Sequence, residues 1–362
     1  MKKIMSISLA LLLLLAGCTA QDKNTNTEKS TETGHQTQKQ ENHEKKDSYE
    51  RSEFVLGTIV TVKLFEDGSE AILDKVFERM TEIENHMSFN SSQSEVISIN
   101  DAAGKNPVQV SEDTYDVIDT AIKFASQSEG QFDPTIGPLV KLWGIGSEGA
   151  AVPSDRDREK ALELTDWNEV ELNGYEKSVY LKKEDMMLDL GAIAKGYASD
   201  EVVRILKEAS VSRAIINLGG NVYAYGEKAD GSPWRIGIQN PFSARGEYIG
   251  IIELKNKSVV TSGIYERFFE ADGKKYHHLL NTETGFPIEN ELASVTIISE
   301  SSINADAMST ILFSEGVEGG LAYLEKYHPE VDAVFITKDK DVYSTDLSEY
   351  EVKWTDASFE IN

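Results

Sequence analysis

Cysteine is nearly absent: Cys18 is the only one in 362 residues. No internal disulfide frames the fold, and cysteine-rich zinc sites and Cys-x-x-Cys redox chemistry are excluded. Cations are scarce too, with 36 Lys plus Arg against 62 Asp plus Glu, for a net charge of −26 at pH 7. So acidic a surface repels a polyanionic backbone, which argues against nucleic-acid binding while leaving room for a local basic pocket that holds a phosphate. Beyond the first residues no apolar run approaches the ~20 residues of a spanning helix, so a multi-span membrane protein is excluded. The 8 prolines and 26 glycines follow no repeat that would suggest collagen or a solenoid. What is present, 40% hydrophobic and 27% charged residues, suits a globular protein with a substantial core.

The chain opens with Lys2 and Lys3, an apolar run to Leu15, and then Ala16, Gly17 and Cys18. The run is too short to span a bilayer and reads as a signal segment, residues 1–17. Small residues before Cys18 resemble a bacterial lipobox, in which Cys18 becomes the lipidated first residue of the mature protein; the other reading is an ordinary secretory signal with an incidental Cys18. Residues 18–50 are dominated by Lys, Glu, Asn, Thr and Gln and carry His35 and His43. They bury too little surface to offset ordering entropy and read as a disordered tether between a membrane surface and the folded part, with no metal site at the two histidines.

Residues 51–362 read as one large α+β unit of one or two lobes. The β-branched stretch 54–65 predicts a strand, and apolar residues at helical spacing predict helices over 71–87 and 115–128. Strands at 185–190 and 214–218 flank a predicted helix over 195–209. Further strands are expected at 234–239, 248–254, 258–262, 276–280 and 293–298, then helices at 307–313 and 319–327, then a hairpin of 333–336 with 342–344.

Two glycine motifs fail on context. Gly144, Gly146 and Gly149 have dinucleotide-fingerprint spacing but run into Pro153 instead of opening a helix. The stretch from Gly191 to Gly196 imitates a P-loop but continues with Tyr197 and Ala198 where Lys and Ser/Thr are required.

Other segments carry chemistry. Asp189, the small residues Gly191 and Ala192, and Lys195 at a helix start form a phosphate-sized anion site, or else a plain strand-to-helix turn with a surface lysine. With Asn304 as a capping residue, Asp306 and Thr310 are one helical turn apart; with a turn carbonyl they would suit Mg²⁺, although Asp306 alone also reads as a helix-dipole partner. His277 and His278 alternate on a strand, so at most one faces a given site, and a structural role is open to either. Phe132, Asp133 and Pro134 form a rigid turn.

In order along the chain, Leu56-Gly57-Thr58, the 87–100 segment, 132–139, 189–196, 217–221, Thr261-Ser262-Gly263, 278–287 and 305–310 resemble the ApbE family of FAD:protein FMN transferases. The likeness covers about residues 51–345. It implies a Mg²⁺-dependent enzyme that splits FAD, joins FMN through a phosphoester to a Thr or Ser of a target flavoprotein, and releases AMP. It further implies metal ligation by the Ala192 carbonyl, Asp306 and Thr310, FAD contacts at Leu56, Asn90, Phe132, Asp133, Pro134, Asp189, Lys195 and Leu280, and His278 as the base. Leu56 stands where Met is usual, Asn90 where an aromatic commonly stacks, and Asn281 where Asp is frequent. Two other functions share the pocket: a surface lipoprotein that only binds and delivers FAD, and an FAD pyrophosphatase.

The lipobox reading places the protein on the outer face of the cell membrane. Replacing Cys18 with Ala is expected to move it from the membrane to the soluble fraction with its turnover rate unchanged; unchanged membrane partition would refute the anchor.

Overall fold

The computed structural model describes residues 48–65 and 67–362. The signal, Cys18 and most of the tether lie outside them. All described residues belong to one compact unit. Its first strand, β1 (Ser48–Val55), takes in residues 48–50, expected in the tether, and pairs with β2 (Thr58–Phe65). The expected single strand 54–65 is therefore a hairpin turning at Leu56 and Gly57, with φ of 56° and 67°. Gly57 suits that conformation; Leu56 does not, which is why composition alone hid the turn.

Helices follow in α1 (Glu70–Met87), α2 (Glu95–Asp101) and α3 (Glu112–Gln127), each capped by a serine, Ser69, Ser94 and Ser111, whose side chain accepts a first-turn N–H. Leu73, Val76, Phe77, Met80, Ile83 and Met87 form one buried stripe of α1. After β3 (Val108–Gln109), α4 (Gly137–Trp143), α5 (Asp155–Leu162), β4 (Val170–Asn173) and β5 (Ser178–Leu181), the chain reaches α6 (Ala194–Glu208). Residues 185–190, expected as a strand, are irregular apart from a single bridge of Met187 to Ile136. Their backbone is held by Asn100 and by the turn at residues 134–137 instead of a neighbouring strand.

The rest alternates β6 (Ala214–Leu218), β7 (Asn221–Tyr225), β8 (Trp234–Gln239), β9 (Tyr248–Leu254), β10 (Lys257–Gly263), β11 (Phe268–Ala271), β12 (Lys274–His277) and β13 (Leu292–Ser299). Then come α7 (Ser302–Tyr327), β14 (Asp332–Thr337), β15 (Asp341–Ser344), β16 (Glu351–Trp354) and β17 (Glu360–Ile361). The strand expected over 276–280 ends at His277. The two helices expected near the C-terminus are one element broken at Gly316, which has φ 74°. Ser301, not Asn304, caps it, accepting from the Asn304 N–H.

Nine strands form the main sheet in the order β1-β2-β6-β7-β10-β13-β14-β15-β17, so spatial order follows chain order. All eight residues of β13 are buried, as a strand covered on both faces requires. Val295 and Ile297 join the larger core with residues of α1, α3, α6 and α7, while Ile298 points to the other face and packs with Ile238, Ile252 and Leu254 of the small sheet β16-β9-β8. The arrangement is α+β, helices on one face and a second sheet on the other.

Gly196 sets the approach of α6 to α7. A Cβ there would meet Ser302 O at 2.3 Å, Ile303 Cα at 2.6 Å and Asp306 Cβ at 2.8 Å. Gly196→Ala is expected to cost about 1–3 kcal/mol as an overpacked contact between rigid backbones, read as a lower melting temperature. A melting curve superimposed on the wild type would show that the crossing is looser than these distances require.

Candidate functional site

Three segments converge where α6 begins. Asp189 donates its N–H to Pro134 O (2.8 Å), and Gly137 donates to Met187 O (3.1 Å), so the 187–189 strip is laced to the turn that follows Phe132. On its other side Asn100 imitates a partner strand, its Oδ1 accepting the Leu188 N–H (2.7 Å) and its Nδ2 donating to Leu188 O (3.1 Å). Asp133 holds the turn itself: Oδ1 accepts from the Thr135 N–H and hydroxyl (2.7 and 2.6 Å) and Oδ2 from the Trp167 N–H (3.0 Å). With both oxygens engaged by protein donors, its carboxylate builds the wall. Burial raises its pKa against those hydrogen bonds.

The centre is Asp306, which is 3% exposed. Its Oδ2 accepts the Gly196 N–H (2.9 Å), its Oδ1 the Asn221 amide (3.0 Å), and Lys195 Nζ lies 3.3 and 3.4 Å from the two oxygens. Gly196 is the third residue of α6, where an N–H has no partner within the helix. Asp306 accepts it, and among the described residues no hydrogen bond ends on the Ala192 carbonyl or on the Thr310 hydroxyl. Asn221 lies in the 217–221 segment that carries the resemblance, with no role assigned to it there. It reaches Asp306 because the Gly219-Gly220 turn, both residues at positive φ, fixes the β6–β7 register with Leu218 opposite Asn221. Asp200, also unforeseen, accepts the Ser302 and Ile303 N–H groups (2.9 and 3.0 Å), so α6 caps the start of α7.

His278 follows β12. Its N–H donates to Arg267 O (3.0 Å) and its Nδ1 lies 3.3 Å from the same oxygen. A carbonyl only accepts, so Nδ1 carries the hydrogen and Nε2 keeps its lone pair. Burial, with the nearby Arg267 charge, pushes its pKa down to about 3. His277 is the other tautomer, Nε2 donating to Ile288 O (3.0 Å) with the buried Nδ1 unpartnered, and its ring meets Phe313 edge-on. Burial lowers its pKa to about 4. The two rings are held apart, and His277 is a core residue.

Burial chiefly raises the pKa of both Asp189, which is half-buried, and Glu266, whose residue is exposed at the open side of the site. Lys195 and Arg267 act on both from close by. Leu56 stands on the hairpin turn, whose Gly57 O accepts from Arg267 (3.2 Å). Leu280 is buried with Leu139 and Trp143 in a small separate core. Asn90 is exposed, its N–H on Ser88 Oγ (3.2 Å), and among the described residues no hydrogen bond joins it to the other site residues. Asn281 accepts the Glu283 and Thr284 N–H groups, a turn-building task that an Asp would perform equally, so this departure leaves the loop geometry intact.

An unprotonated imidazole within electrostatic reach of Lys195 and Arg267, which also act on the carboxylates of Asp189 and Glu266, suits group transfer on an anionic ligand, and the class is an α+β transferase. The ApbE family profile matches residues 56–335, and the chain belongs to that family. It is 42% identical over 294 residues to the FAD:protein FMN transferase of Klebsiella pneumoniae (strain 342), covering 81% of this chain and 90% of the relative. With the enzyme of the same name from Treponema pallidum (strain Nichols) it shares 37% over 328 residues, 86% of this chain and 90% of the relative. The crystal structure of the ApbE protein from Thermotoga maritima matches at TM-score 0.76 and 33% identity, covering 83% of this chain and 98% of that one.

Because the native His277 resists protonation down to about pH 4 whereas an unfolded histidine takes a proton near 6.5, the stability it contributes is complete above pH 6.5 and is lost as pH falls toward 4. The slope is at most about 1.4 kcal/mol per pH unit. Melting temperatures at pH 7 and pH 5 should fall further in the wild type than in His277→Leu; parallel falls would mean that His277 does not titrate as a buried neutral ring.

Proposed function

We propose that this protein transfers FMN from FAD to a Thr or Ser hydroxyl of a target flavoprotein and releases AMP, at the outer face of the cell membrane and tethered through Cys18. The observation that carries the reading is the buried Asp306 carboxylate held at the start of α6 by the Gly196 N–H and Asn221, with Lys195 at hand and a neutral His278 whose pKa Lys195 also lowers. The relatives' shared activity supports the substrate pair.

The donor set suits Mg²⁺. The Ala192 carbonyl, the Asp306 carboxylate and the Thr310 hydroxyl are hard oxygens, with no thiolate or imidazole among them, and they leave positions for water and substrate phosphates. Mg²⁺ bound there supplies positive charge to the diphosphate oxygens. Lys195 and the N-terminal amides of α6 hold the same anion. Asn221 and the Gly196 N–H fix the direction of the Asp306 carboxylate. His278 Nε2 takes the acceptor's hydroxyl proton as the hydroxyl oxygen forms its bond to the FMN phosphorus. The bond between that phosphorus and the bridging oxygen breaks, and the electron pair leaves with AMP. Asp189 and the 132–134 turn wall the ligand. Among the described residues no helix is long and apolar enough to cross a membrane, so the tether alone is assigned the anchoring.

Incubation with FAD, Mg²⁺ and a candidate acceptor, followed by mass spectrometry, should show the acceptor gaining one FMN moiety while AMP accumulates, and chelation should stop both. FMN appearing free in solution would identify a pyrophosphatase, and FAD recovered intact would identify a carrier. His278→Ala should lower transfer about 10²- to 10⁴-fold with FAD affinity retained. Asp306→Ala and Thr310→Ala should each abolish the metal-dependent rate, with losses that do not add. Loss of FAD affinity in step with activity in His278→Ala would remove the base assignment.

A further inference from the structure

Arg267 lies just before β11, and its two ends face different parts of the cleft. Its carbonyl receives both the N–H and the Nδ1–H of His278 (3.0 and 3.3 Å). Its Nη2 donates to Gly57 O (3.2 Å) on the β1–β2 turn, the turn that carries Leu56. The side chain is exposed, and a guanidinium has five N–H donors in a planar fork, so one bond to a carbonyl leaves most of the fork unused. Its charge is felt by Asp189, Glu266 and His278 alike.

We infer that Arg267 is a further substrate-binding residue of the proposed transfer reaction, its guanidinium taking a phosphate oxygen of the FAD diphosphate across the cleft from Lys195. Charge balance supports the assignment. Asp189, Glu266 and Asp306 are the carboxylates of the cleft, and Lys195, Arg245 and Arg267 are the cations that act on them. The set is neutral before loading, and a dication with a dianionic diphosphate leaves it neutral. Without Arg267 the loaded cleft carries an unbalanced anion at the moment when charge shifts to the leaving phosphate. A brace on Gly57 O would require only a donor of similar length, whereas a diphosphate calls for a charged planar fork. The carbonyl that orients His278 belongs to the backbone, so side-chain substitution leaves that hydrogen bond in place and isolates the guanidinium.

The inference rests on the functional reading above, and three variants test it apart from that reading. Arg267→Met removes donor and charge, Arg267→Gln keeps a donor without charge, and Arg267→Lys keeps charge without the fork. The measurements are FAD affinity and riboflavin affinity by flavin fluorescence, FMN transfer to the acceptor, and melting temperature. Met and Gln should lower transfer about 10²-fold and weaken FAD while sparing riboflavin, which has no phosphate, and Lys should stay within about tenfold of wild type. A Gln variant that transfers at the wild-type rate, or equal weakening of FAD and riboflavin, would make Arg267 a brace of the hairpin turn and overturn the inference. If Met fails to fold, the Gln and Lys pair still decides. A wild-type protein that binds FAD but transfers nothing would sink the functional reading alone, and the FAD-against-riboflavin comparison would still rule on Arg267.

Discussion

A carboxylate buried as deeply as that of Asp306 costs stability unless donors match it, and the donors it has are drawn from two separate elements. Lys195 and the Gly196 N–H come from α6 and Asn221 from the first position of β7, while Asp306 itself stands in the second turn of α7. The three elements are separate segments of the chain. The ion therefore works as a coordinate, fixing where two helices and a strand end meet. Gly196 permits the approach by having no side chain, and Asp200 repeats the connection one turn along by capping α7 from α6. Removing the charge and removing the crossing would be hard to separate, since each is the reason for the other.

The same region offers a ligand position. Ala192 precedes α6 and its N-cap Ile193, so the helix does not use its carbonyl, and among the described residues no hydrogen bond ends on it. Asp306 meanwhile satisfies one of the open N–H groups of the first turn, that of Gly196. The Ala192 oxygen is useful to a cation and an anion bound together, which is the pairing a metal diphosphate presents. The acidic surface of the protein does not oppose it, because Lys195, Arg245 and Arg267 are gathered where the cleft carboxylates are.

Most strands and helices could be read from periodicity, because a half-buried strand or helix repeats its apolar residues at a spacing set by its own geometry. What could not be read was backbone held by side chains. The 185–190 run has the composition of a strand, yet its hydrogen bonds go to Asn100 and to the 134–137 turn, partners dozens of residues away. The turn at Leu56 was hidden for the opposite reason: a leucine at positive φ costs roughly 1 kcal/mol locally, and only the pairing of the whole hairpin imposes it. For the site, the resemblance supplied residues whose proximity no spacing rule could give. Lys195 and Asp306 meet because α6 and α7 cross at Gly196, and the charges of Lys195 and Arg267 act on both Asp189 and His278. Asn221 stood in the 217–221 segment without a role and Asp200 escaped notice, because their function is only to hold other residues.

The adjacent histidines show how one short segment serves core and chemistry together. Each donates one ring hydrogen to a backbone carbonyl, but from opposite nitrogens: His277 through Nε2 to Ile288, and His278 through Nδ1 to Arg267. The strand ends at His277, so the first ring is still directed into the core while the second is released to the cleft. Both are kept neutral chiefly by burial, yet the consequence differs. In the core a lone pair at Nδ1 finds no partner and its cost is structural. In the cleft the lone pair at Nε2 is what a proton-bearing hydroxyl requires, and the pKa that makes His278 a weak base in water also keeps it unprotonated across the whole neutral range. A base that weak gains its efficiency from position, taking the proton only as the new phosphorus–oxygen bond makes the hydroxyl acidic, so orientation by the Arg267 carbonyl matters more than basicity.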